Sequence, residues 1–215
     1  KLSLLKSQWD NQRWANQRES ATLPSRIEKI RERIESVEAD IGNREDVRGN
    51  RFGMVIDGKR YHERSIAGEV LQRYYSEAKA RTRKFGNWKS SPGEMSVGQF
   101  AGFDLAVSIP TGASDGPCFI LKGRRAYAAH HSDNPQGMVR VVENVANSLE
   151  GRLAEAYEDA ARAEKRLADI LTELAKPFEK EERLTQLLAR QREINAALDL
   201  DKDNAGAMEA EAEAA

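Results

Sequence analysis

The sequence predicts an α+β protein in which long antiparallel helical coiled-coil arms carry a small antiparallel β-sheet domain with one covering helix. Three observations predict it. Apolar residues recur at alternating spacings of three and four near both ends of the chain, the apolar period drops to two in between, and Gly-containing dipeptides punctuate that middle stretch at hairpin positions.

The first ladder is Leu23, Ile27, Ile30, Ile34, Val37 and Ile41, the seam of a helix that packs on another helix. Thr22 is placed to cap it, Pro24 falls in its first turn, and Gly42-Asn43 ends it. Upstream, Leu2, Leu5 and Trp9 keep helical spacing, so residues 2–18 are expected to form a separate helix before a break over Ser20–Pro24. Next, Phe52 to Ile56, Asp57-Gly58 and Lys59 to Tyr61 predict a hairpin with a type I′ turn. Ile66, Ala67, Val70, Leu71, Tyr74 and Ala78 predict one amphipathic helix. Met95–Phe100 and Phe103–Ile109 are expected to be strands about Ala101-Gly102, with Cys118–Lys122 and Arg125–His130 as two more. The second ladder runs Val142, Val145, Leu149, Leu153, Ala156, Ala160, Ala163, Leu167, Ile170 and Leu174, one helix stopped by Pro177. Leu184, Leu187, Leu188, Ile194 and Leu198 mark a last helix. The domains expected are a helical arm over 1–42, the α+β domain over 43–137, a second arm over 138–200, and a disordered Ala/Glu-rich tail over 201–215. Antiparallel pairing of the two ladders buries both seams and brings the ends of the insert together.

Charge divides along the chain. Net charge is -1 over 215 residues with 32% charged. Residues 51–140 carry 14 Lys/Arg against 8 Asp/Glu, whereas residues 141–215 carry 10 against 18. Cys118 is the only cysteine, in the apolar run Cys118-Phe119-Ile120-Leu121, which excludes an intrachain disulfide and a multi-Cys zinc site. No apolar stretch approaches the ~20 residues needed to cross a bilayer. With no signal peptide and no initial Met, the chain is expected to be a cytoplasmic fragment of a larger protein.

Motifs for catalysis are missing from the sequence. His62, His130 and His131 are its three histidines, and neighbours on a strand point to opposite faces, so His130 and His131 are not readily placed to chelate one metal. There is no H-E-x-x-H, G-x-S-x-G or G-x-x-x-x-G-K-[ST] pattern. Neither a catalytic residue, a metal, a cofactor nor a small-molecule substrate is expected.

One segment points to a partner. Lys79, Arg81, Arg83, Lys84 and Lys89 provide five positive charges without an acid, interleaved with Phe85 and Trp88. Cations neutralise phosphates and aromatic rings stack on unpaired bases, so these residues are candidate nucleic-acid contacts. Arg124 and Arg125, with Lys59, Arg60 and Lys122, fall at expected turns and would widen the patch. The competing reading is a solvated helix end with Phe85 and Trp88 in the core, since cations also suit a helix C-terminus.

Several phrases resemble the C-terminal region of large phage, plasmid and conjugative-element proteins that fuse an adenine-specific DNA methyltransferase to a Swi/Snf-type helicase, such as defence-against-restriction proteins. They are Leu23-Pro24, Phe52 to Tyr61 followed by Glu63-Arg64 and Ala67-Gly68, Gly102-Phe103, the run from Val142 to Leu153, Lys176-Pro177-Phe178, and Glu193 to Leu198. The resemblance implies a parent acting on DNA in restriction, anti-restriction or transfer of a mobile element, its methyltransferase and helicase motifs lying upstream. No catalytic residue carries over, because the Asn/Asp-Pro-Pro-aromatic motif and the helicase nucleotide motifs are missing here. The function expected is a non-catalytic accessory domain making non-specific DNA contact or positioning the upstream domains. The alternative is a structural coiled-coil arm for protein–protein contact or self-association.

Overall fold

Hairpin chemistry builds the centre of the molecule. The structure, a computed structural model, describes residues 1–84, 93–109 and 116–213, with side chains for 1–81, 93–109 and 116–197. β1 (Met54–Ile56) and β2 (Lys59–Tyr61) flank Asp57 and Gly58, both at positive φ (51° and 77°), the pair of angles a type I′ turn requires. β3 (Gly93–Phe100) and β4 (Phe103–Ile109) repeat the device at Ala101 and Gly102, φ 53° and 83°. With β5 (Cys118–Lys122) and β6 (Ala126–Ala129) they form one antiparallel six-stranded sheet, ordered β2-β1-β3-β4-β5-β6.

Register decides which face is buried. Met54 pairs with Phe100 and Phe100 with Phe103; Leu105 pairs with Leu121 and Leu121 with Tyr127. All six are buried in one core. The row Ser96, Ala106, Ile120 and Ala128 faces the other way. One face is therefore packed and one open, as antiparallel sheets allow.

Two helices cover the packed face where one was expected. α2 (Arg64–Lys84) matches the amphipathic segment. The second cover, α3 (Pro135–Asn147), holds Met138, Val139, Val142 and Ala146 in the sheet's core. Asn134 caps it by accepting from the Gly137 N–H at 2.5 Å. Helices α2 and α3 approach so closely at Gly68 that a Cβ there would lie 1.9 Å from the Pro135 carbonyl oxygen. The second ladder is thus two helices, since α3 stops at Ser148 and α4 (Leu149–Ala175) starts beside it. The ladder's one irregular step, a repeated four around Leu149, falls at this break.

The first arm also differs from expectation. α1 runs unbroken from Leu2 to Asn43 with Pro24 inside. Leu23 and Ile27, on either side of the proline's position, are 5% and 6% exposed. Burial on both sides outweighs the single backbone bond that Pro24 cannot donate. The Ser20 and Thr22 hydroxyls, read as a break and a cap, donate instead to the carbonyls of Gln17 and Glu19 within the helix.

Contacts divide the chain into two units, residues 27–162 and residues 1–26 with 163–215. In the first, Ile30 and Ile34 of α1 pack with Leu153, Ala156 and Ala160 of α4. Arg44 pairs with Glu150, Tyr157 donates to Glu38 at 2.5 Å, and Arg33 meets Asp159 at 3.5 Å, so the two helices run antiparallel there. In the other unit Glu19 takes two bonds from Arg166, at 2.9 and 2.7 Å, and Trp9 tilts against Phe178 with centroids 5.7 Å apart. α4 ends just before Pro177, as expected, and α5 spans Glu181–Glu213. Its helical backbone continues through the segment read as a disordered tail, where Ala and Glu are both strong helix formers. After buried Leu184, every described side chain of α5 to residue 197 is exposed.

Candidate nucleic-acid interface

Among the described side chains of α2, which run to Arg81, Ala78 is the last buried one, at 0% exposed. Lys79 and Arg81 follow on the exposed surface, with Arg81 held to Glu77 at 2.6 Å one turn back. The side chains of Arg83 and Lys84 lie outside the described residues, as do Phe85, Trp88 and Lys89 altogether.

The other predicted cations fall elsewhere. The Arg64 guanidinium at the start of α2 lies 4.4 Å from the Phe52 ring, beside the Ala101-Gly102 end of the sheet. Midway along α2, Tyr75 stacks on His131 at 4.3 Å, just past β6, and approaches Gly116 before β5. The helix therefore crosses from one end of the sheet towards the other, with Lys79 and Arg81 one turn or more past Tyr75. Arg124 and Arg125 belong to the β5–β6 turn at the near end, with about 16 Å of strand between the two. The structure does not bring them together with Lys79 and Arg81. Lys122 is ion-paired to Glu94 across β4 on the open face, and Lys59 lies 5.2 Å from the Tyr61 ring centroid.

The Gly123–Arg125 turn carries a feature that sequence reasoning missed. Asp40, on α1, is 1% exposed and carries a carboxylate into the protein. It accepts from the backbone N–H groups of Arg124 (2.6 Å) and Arg125 (3.1 Å) and from the Tyr127 hydroxyl (2.6 Å). Successive backbone N–H groups form an anion-binding concavity, and here a side chain of the same protein fills it. A Cβ at Gly123 would lie 2.3 Å from Asp40 Oδ1, so only glycine fits. Burial first, then the bond to Asp40, pushes the Tyr127 hydroxyl far above its ordinary value. The visible signal was an acid three residues after Val37, on the apolar side of the ladder.

The remaining chemistry is sparse. The open sheet face bears charged, small and aliphatic side chains without an aromatic ring among the described residues, so those residues offer no base-stacking platform. Burial raises the pKa of the Cys118 thiol, away from nucleophilic character. Among the described residues no three His, Cys, Asp or Glu side chains are grouped to hold a metal ion, and no helix is long and apolar enough to cross a membrane. Compared with protein-family models, curated proteins and solved structures, the chain matches none.

Proposed function

We propose that this chain is a non-catalytic accessory module of a DNA-processing protein, holding DNA without sequence preference through the basic end of α2. The observation that carries this reading is that the last described side chains of α2, from Lys79 to Arg81, are exposed. Beyond Ala78 the helix delivers Lys79 and Arg81 to solvent instead of to the sheet. The basic balance of residues 51–140 supports it. The resemblance to mobile-element methyltransferase–helicase fusions supplies the context: a cytoplasmic restriction or anti-restriction system whose upstream domains carry the chemistry. Coiled-coil pairing of the arms would then hold the basic end at a fixed position relative to those domains.

An electrophoretic shift assay with single- and double-stranded oligonucleotides tests the reading. Weak shifts at low salt that vanish as salt rises, equally for unrelated sequences, are the expected result. Failure to shift either form at low salt refutes it.

Exposed apolar residues on α5 favour a second reading, an arm for protein–protein contact or self-association. Leu187, Leu188 and Ile194 are 43%, 40% and 50% exposed on a helix in which Leu184 is the last buried side chain among the described residues. Sedimentation of the intact chain as a concentration-dependent oligomer, without DNA binding, would select that reading.

A further inference from the structure

The start of α1 contains a tandem pentapeptide, Trp9-Asp10-Asn11-Gln12-Arg13 followed by Trp14-Ala15-Asn16-Gln17-Arg18. In each copy the arginine stands four residues after the tryptophan, one helical turn on, and reaches back over the indole. Arg13 Cζ lies 5.1 Å from the Trp9 ring centroid and Arg18 Cζ 5.3 Å from that of Trp14. Five residues advance a helix by about 7.5 Å and turn it about 140°, so the copies face different ways.

The first copy is satisfied within its own unit. Trp9 is half-buried against the Phe178 ring, and Lys6 Nζ adds a second cation 4.4 Å from the indole. What completes this Trp–Arg pair is therefore an aromatic face. Among the described residues the second copy has no such completion. Trp14 is 63% exposed, and the Arg18 guanidinium is exposed with no carboxylate partner among the described residues. A ligand repeating the first copy's arrangement must bring a flat aromatic face to Trp14, and one that also brings an anion would satisfy Arg18. A nucleotide of an unpaired strand has both.

We infer that the outward Trp14–Arg18 pair is a stacking site for single-stranded DNA, with Trp14 taking a base and Arg18 taking the adjoining phosphate. Charge complementarity supports this occupant, because residues 1–18 carry four Lys/Arg against the single acid Asp10, which Lys6 approaches at 3.6 Å. Exposed Asn11 and Gln17 add neutral hydrogen-bonding groups suited to sugar and base edges. The inference deepens the DNA reading but uses residues distinct from the basic end of α2, so the two can fail separately.

The test is fluorescence anisotropy of a labelled oligothymidylate with the intact chain and its variants, with polyglutamate as competitor. Trp14→Ala should weaken binding about tenfold or more while leaving thermal stability unchanged, since the side chain is largely exposed. Trp14→Phe should retain most of the affinity, and Arg18→Gln should weaken binding and flatten its salt dependence. In the Arg81/Arg83/Lys84→Gln background the Trp14→Ala loss should persist. If Trp14→Ala binds oligothymidylate like the parent, the stacking site is overturned even where the α2 cations matter. If polyglutamate competes as well as oligothymidylate at equal charge, the surface fits an acidic protein and the inference is equally overturned.

Discussion

Asp40 is the residue on which the junction between α1 and the β5–β6 turn depends. Its carboxylate serves three donors that have no substitute once it is removed. Asp40→Ala strands two backbone N–H groups and the Tyr127 hydroxyl, and is expected to cost about 2–4 kcal/mol in urea unfolding. Tyr127→Phe removes one donor and should cost less. Tyr127 also sets an alkaline limit. Its folded pKa is raised by burial and by Asp40, so the folded state keeps the phenolic proton after the unfolded chain has lost it. Stability is then fully present below about pH 10, the unfolded tyrosine value, and falls as pH rises through that value and beyond. Tyr74, whose hydroxyl bonds to Asp57 and is pushed up to about 12, acts in the same direction. Chemical-denaturation midpoints measured from pH 8 to pH 11 should fall for the parent and fall less for Tyr127→Phe. An equal decline in both would remove Tyr127 from the account.

Elements were legible from sequence where their signal is local. Both hairpins were fixed by their dipeptides, Asp57-Gly58 and Ala101-Gly102, and by strict alternation in residues such as Phe103, Leu105 and Val107. Helix boundaries set by packing were not legible. At Ser148 the local signal separating α3 from α4 is only one repeated spacing of four, because Val142, Val145 and Leu149 otherwise continue one apolar pattern while serving the sheet's core. Pro24 gave the opposite error, a strong local stop overruled by buried neighbours. The Asp40 contact was hidden because its donors come from residues more than 80 positions away. Two substitutions examine these elements. Pro24→Ala should raise stability by about 1–3 kcal/mol if α1 is continuous, because it restores a helical donor. At the first turn of a separate helix it would be neutral or slightly harmful. Ile34→Asp puts a charge among Ala156, Ala160 and Leu153 and should cost about 3–5 kcal/mol. Unchanged thermal stability in that variant would contradict the packing of α1 on α4.

For the whole molecule, the central claim is that the basic end of α2 meets DNA through charge. The candidate residues were legible as a run of cations, but their placement was not. Arg124 and Arg125 belong to the opposite end of the sheet, and their backbone N–H groups serve Asp40. The claim therefore rests on α2 and makes a quantitative demand on salt dependence. Binding of a labelled duplex and a labelled single strand should be followed by anisotropy from about 20 to 200 mM salt, for the parent and for Arg81/Arg83/Lys84→Gln. The account predicts that the variant weakens for every sequence alike and that its plot of log affinity against log salt is shallower, by about one unit for each phosphate it no longer neutralises. A variant that matches the parent in both affinity and slope would contradict it.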